Sequence, residues 1–268
     1  MFSEHPERFF KTTQVDIVIF PDGREKNPNN FIEISPIKGP VHRMIRETLA
    51  YLRTNVILKR IQKPKDNEKS DVVFNYPYQA LEEAVVNALY HRDYQEREPV
   101  EITVEPDRIS ILSYAGPDHS ISMESIKECK SLRSRRYRNR RLGEFLKELD
   151  LTEGRATGIP TIQEELEKNG SPRASIETDA DRTYFLLDIP VHPAFNNTPV
   201  LNNQESNLTG NLKVFYLAMK ENPNITVSEL LKIVKGKKKL TNQLIAELKT
   251  LGYIKREGRR YGQWVILK

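Results

Sequence analysis

The run from Pro77 to Tyr94 constrains this chain more than any other. Leu81, Ala84, Val85, Ala88 and Leu89 recur at helical spacing and predict an amphipathic helix with one apolar stripe. Glu83, Asn87 and His91 are spaced four apart, so on a neighbouring face their side chains stack turn above turn. A carboxamide oxygen is a hard metal ligand, and a carboxylate one turn away can orient or deprotonate a water beside a metal-bound phosphate. An ordinary surface helix can carry Glu and Asn at the same spacing, so the pattern alone leaves both readings open. His91-Arg92-Asp93 also spells the start of a protein-kinase catalytic loop, but the Asn required five positions after the Asp is Glu98. No Asp-Phe-Gly triplet is present either, which excludes a kinase.

At 268 residues the chain suits one large or two modest domains. Residues 13–20 predict a strand stopped by Pro21-Asp22-Gly23, and a second short strand follows at 31–34. A helix is expected over 41–58, with Met44, Ile45, Leu49, Leu52 and Ile57 inward, before a polar connector at 63–70. Beyond the Pro77 helix, 100–105 and 108–113 alternate as a half-buried hairpin. Helices near 141–148 and 160–169 and strands at 174–178 and 183–189 complete the pattern. Strands paired as hairpins with helices between them predict an α+β sandwich, helices covering one face of a mainly antiparallel sheet. Residues 194–210, rich in Asn, Pro, Ser and Thr, read as a linker.

After the linker, a helix at 212–221 carries Val214, Phe215, Leu217 and Ala218 inward. Thr226 caps a second helix at 227–234, and a third spans 238–251 with Leu240, Leu244, Ile245, Leu248 and Leu251 inward. Gly252 ends it, and strands at 253–256 and 263–267 close the chain. Residues 211–268, and above all Leu-Gly-Tyr-Ile-Lys-Arg-Glu-Gly at 251–258, resemble a winged helix-turn-helix domain. The resemblance implies a third helix that enters the major groove of double-stranded DNA and a wing that touches its backbone. Lys237, Lys238, Lys239, Thr241, Asn242 and Gln243 would be its exposed positions, with Arg259 and Arg260 at the wing tip.

A second resemblance rests on Tyr76-Pro77, Ala80-Leu81, Glu83, Asn87-Ala88 and His91-Arg92-Asp93-Tyr94. It continues through 107–111, Ala115-Gly116, Arg138-Asn139, 142–149 and 154–160. This ordered series, covering about residues 70–192, resembles the RecG-related regulators, which pair a Schlafen AlbA-type domain with a degenerate GHKL ATPase-like domain. Residues 1–69 would then be the end of the AlbA-type region and a connecting helix, 70–193 the GHKL-like α/β sandwich, 194–210 the linker and 211–268 the DNA-binding domain. No phosphate loop of the Gly-x-x-x-x-Gly-Lys-Ser/Thr type occurs, so motor helicase activity is not expected.

Carried over by position, Glu83 matches the catalytic, water-activating carboxylate and Asn87 the magnesium ligand of GHKL ATPases. Gly116 falls at the first glycine box, and Gly154, Arg155, Thr157 and Gly158 fall near the second. His91 and Asp93 belong to the RecG-related signature, either as nucleotide contacts or as a helix-terminal His and an Arg–Asp pair fixing the next loop. One position departs from the pattern: the Asp that reads the adenine amino group, two residues before the first glycine, is Tyr114 here. The resemblance implies ATP and magnesium as cofactors and leaves three roles open. These are a transcriptional regulator with a sensor or oligomerisation domain, a slow magnesium-dependent ATPase, and a protein-binding scaffold. A homo-oligomer is also open.

Composition narrows the setting. Cys129 is the sole cysteine, which excludes an internal disulfide or a multi-cysteine zinc site and fits a reducing cytoplasm. The N-terminus lacks the pattern of a secretory leader, and no apolar run approaches the roughly 20 residues that span a bilayer. The net charge of +5 is clustered in two runs, one at 127–141 and one at 235–260.

Overall fold

The computed structural model describes residues 2–62, 71–129, 137–152, 158–196, 198, 200, 210–233, 238–250, 253–257 and 263–267. The chain divides into two compact units, Met1–Asn202 and Asn203–Lys268. Among the described residues no helix is long and apolar enough to cross a membrane.

The first unit is built on a six-stranded mixed sheet. Its strands are β1 (Gln14–Ile19), β2 (Ile32–Lys38), β5 (Val100–Val104), β6 (Arg108–Tyr114), β7 (Ser175–Glu177) and β8 (Tyr184–Pro190), in the order β2-β1-β5-β6-β8-β7. All neighbours run antiparallel except β1 and β5, which are parallel with Ile17 opposite Ile102. Residues 14–58 therefore join the same sheet and core as the hairpins instead of forming a separate N-terminal part. A parallel pairing needs a long crossover, and α1 (Val41–Asn55) and α2 (Tyr78–His91) lie in that crossover. Strict alternation buries Val15, Ile17 and Ile19 on one face of β1, and Ile109, Ile111 and Ser113 on the same face of β6.

Helices cover that face. Met44, Ile45, Leu49 and Leu52 of α1 are buried as the periodicity predicts, and the helix ends at Asn55, three residues early. A two-stranded sheet that the sequence did not suggest follows, β3 (Lys59–Gln62) with β4 (Asp71–Phe74). Asn75 locks the junction to α2: its side chain receives Leu58 N–H at 2.6 Å and Tyr76 N–H at 2.9 Å, and donates to Val56 O at 2.8 Å. α2 is buried along Leu81, Ala84, Val85, Val86, Ala88 and Leu89, with α1 and α5 (Gly158–Asn169) as its helical neighbours. Two further helices, α3 (Met123–Lys127) and α4 (Arg140–Glu148), complete this unit.

The second unit packs α6 (Gly210–Glu221), α7 (Val227–Ile233) and α8 (Lys238–Thr250) with the antiparallel pair β9 (Ile254–Glu257) and β10 (Gln263–Ile266). Thr226 and Glu229 form a reciprocal capping box at the start of α7. Glu229 N–H donates to Thr226 Oγ1 at 3.2 Å, and Thr226 N–H donates to Glu229 Oε2 at 2.7 Å. The core face of α6 differs from expectation: Phe215, Tyr216 and Met219 are buried, and Val214 is 42% exposed. Thr241 also differs. It lies three and four residues before Leu244 and Ile245, so the helical period turns it into the core, where it is fully buried. It is not an exposed position for reading DNA.

Candidate functional site

A pocket of about 120 Å³ opens where the C-terminal half of α2 meets the end of β6 and the start of α5. Its wall is made by Asn87, His91, Ser113, Ala115, Gly116, Pro117, Ile121, Gly158, Ile159 and Phe185. Apolar side chains dominate, with Asn87, His91 and Ser113 as the polar groups, a composition typical of small-molecule sites.

Asn87 and Glu83 face each other along α2, Asn87 Nδ2 donating to Glu83 Oε1 at 3.2 Å. Gly158, the first residue of α5, lies against this pair. A Cβ built on it would meet Glu83 Oε1 at 2.5 Å and collide with Asn87 Nδ2. The glycine is therefore required by close packing of α5 on α2. Asn87 lines the cavity and Glu83 does not. With Nδ2 turned to Glu83, the amide oxygen is the Asn87 atom suited to a hard cation. Magnesium delivered with a phosphate needs only one or two protein ligands, so Asn87 fits that role. Among the described residues no group of three His, Cys, Asp or Glu could hold a metal by itself.

Gly116 serves the sheet as well as the pocket. It donates its N–H to Arg182 O at 2.8 Å, and a Cβ there would meet the backbone oxygens of Tyr184 and Arg182 at 2.6 and 2.7 Å. Tyr114, which stands where an adenine-reading acid is expected, belongs to the opposite face of β6. Alternation sends Ser113 to the pocket side, while Tyr114 lies near Glu98 and Glu101, where burial and then those carboxylates raise its pKa. Ser113 is thus the polar group that β6 gives the pocket. It was readable from the Ile109, Ile111, Ser113 alternation, but Phe185 and Ile121 carried no sequence signal.

The His91–Tyr94 segment is held as a loop closure. Arg92 is 1% exposed and donates to Thr12 O at 3.2 Å and Glu98 O at 2.7 Å, so it anchors the N-terminal segment and does not pair with Asp93. Asp93 Oδ1 accepts Gln95 N–H at 2.9 Å, and its other oxygen lies 3.9 Å from Arg138 Nε. Arg138 donates to His91 O at 2.6 Å, and Asn139 Nδ2 donates to Tyr90 O at 2.8 Å and Arg92 O at 2.7 Å. These bonds satisfy carbonyls left open at and just beyond the end of α2. His91 lines the pocket and is exposed to solvent as a residue, although its ring packs beside the rings of Tyr90 and Tyr137. That packing, and then the Arg138 charge, push its pKa down to about 4. The open edge tempers the desolvation, but both causes point the same way, and the imidazole is neutral at pH 7.

Residues 98–187 match the family model described as "Putative ATP-dependent DNA helicase recG C-terminal". Over that span the chain is similar to a RecG-related ATPase-like domain. The mixed sheet with its helical layer is consistent with a GHKL-like α/β fold. The ATPase-like match runs from just before β5 into β8. It takes in Gly116 and Gly158 but stops short of Glu83, Asn87, His91 and Asp93 on and after α2. Among solved structures, the DIP2311 protein from Corynebacterium diphtheriae matches with a TM-score of 0.53 and 16% identity over 95% of this chain. At that identity the likeness concerns the fold alone. The chain spans 51% of that protein's length. Comparison with curated proteins finds no match.

Gly154, Arg155, Thr157, Lys237, Arg259 and Arg260 lie outside the described residues. Lys238 and Lys239 open α8, and Asn242 and Gln243 are exposed on it. The second unit holds thirteen Lys and Arg against five Asp and Glu, a net +8, which leaves the first unit at −3 within the chain's +5.

Proposed function

We propose that the first unit is a sensor that binds a nucleotide-type ligand beside Asn87, and that the second unit is a winged helix that binds double-stranded DNA. The chain is then a ligand-responsive DNA-binding regulator. The observation that carries the ligand half is Asn87 in the wall of a mostly apolar pocket that Gly116 and Phe185 also line. Binding without efficient turnover is favoured because Glu83 is covered by the start of α5 and does not line the cavity. The DNA half is supported by the order of three helices and a hairpin, by the net +8, and by exposed Asn242 and Gln243 beside the lysines at the start of α8.

Thermal unfolding with and without magnesium and ATP, on the native chain and Asn87→Ala, tests the first half. Ligand at one hundred times its dissociation constant adds about 2.7 kcal/mol of stability. A shift lost in Asn87→Ala is expected, and no shift at millimolar ATP would remove the sensor reading. Salt-dependent duplex binding abolished by Lys238→Glu with Lys239→Glu tests the second. A slow ATPase is the second reading, favoured by the Glu83–Asn87 pair itself, and phosphate release lost in Glu83→Gln would establish it.

A further inference from the structure

Beside the pocket mouth, Tyr90, His91 and Tyr137 form a ladder of rings. Tyr90 and His91 are 4.4 Å apart, and Tyr137 lies 6.2 Å from Tyr90 with the two planes parallel to within 6°. Its centroid is 6.4 Å from that of His91. Gly143 of α4 fixes the base of the ladder, because any side chain there would collide with the Tyr90 ring and hydroxyl. Tyr137 remains 39% exposed although it is a large aromatic residue.

Arginines follow this exposed ring in the chain. Arg138 follows Tyr137 directly and is committed to His91 O and Asp93. Arg140 and Arg141 open α4, whose first turn contains no acid, and both are exposed. Arg140 is 3.4 Å from Glu144, but with its side chain 83% exposed this pair is weak and a phosphate can displace the carboxylate.

We infer that this surface binds single-stranded nucleic acid, an unpaired base stacking on Tyr137 while Arg140 and Arg141 take the adjoining phosphates. A duplex keeps its base faces stacked on one another, so an exposed ring flanked by guanidinium groups suits an unstacked strand. Tyr137, Arg140 and Arg141 do not line the pocket, which the surface meets only at His91, and they lie in the first unit, so the inference is separate from both halves of the function proposed above.

The test measures fluorescence anisotropy of a fifteen-residue oligo-dT, an oligo-U and a duplex on the full chain. Each is repeated with Lys238→Glu and Lys239→Glu present, so that charge in the second unit does not mask the result. Tyr137→Ala should weaken single-strand binding by about five- to a hundredfold and leave duplex affinity unchanged, and Tyr137→Phe should retain binding. Arg140→Gln should lower the salt slope for the single strand by about 0.7. Unchanged melting of each variant establishes that folding is intact, and whichever oligomer binds more tightly distinguishes RNA from DNA. Equal loss for duplex and single strand, or no loss with Tyr137→Ala, would overturn the inference.

Discussion

Gly158 rests on Glu83 so closely that an added Cβ would lie 2.5 Å from the carboxylate oxygen. This contact joins the start of α5 to the face of α2 that carries Asn87 and His91. It also explains how a glycine from the apparent second box can be required by packing before any ligand is considered.

Gly158→Ala should therefore destabilise the first unit by about 1–3 kcal/mol, the usual cost of forcing a methyl into a filled space. Urea unfolding measures this directly. An unchanged midpoint would mean that α5 can withdraw from α2 without cost.

The two faces of β6 give a paired prediction. Ser113→Asp places a carboxylate at the pocket, whereas Tyr114→Asp places one beside Glu98 and Glu101 on the other face. Only the first should raise affinity for adenine over guanine nucleotides, by about tenfold for one charged hydrogen bond. Competition binding with ATP and GTP reads the difference.

His91 gives a pH signature. Its folded pKa, pushed down to about 4, lies below the unfolded value of about 6.5. The unfolded chain takes up the proton first, so the His91 contribution is complete above about pH 6.5 and is lost as pH falls towards 4. Stability of the native chain minus that of His91→Gln, followed across this window, should fall with acidity. A flat difference would show that the ring titrates equally in both states.

Thr241 is fully buried in α8, and its hydroxyl has no hydrogen-bond partner among the described residues. Thr241→Val should raise the stability of the second unit by about 1 kcal/mol, because a partnerless buried hydroxyl loses its hydration for nothing in return. DNA affinity should be unaffected, which separates this position from exposed Asn242 and Gln243.

The sequence by itself determined the local elements. Period-two alternation marked β1, β5 and β6, helical spacing marked α1 and α2, and Thr226 marked the start of α7, because side-chain direction repeats with the backbone. It also placed Glu83, Asn87 and His91 on one face. Only the tertiary structure decided that β1 lies parallel to β5, that Arg92 reaches Thr12 and that Phe185 meets Asn87 across a pocket. These relations join residues far apart in the chain, and they arise from closure of the sheet and the packing of helices over it. Thr241 and Ser113 fall between the two cases. Their directions were written in the local period, but their roles became visible only when the faces they point to were filled.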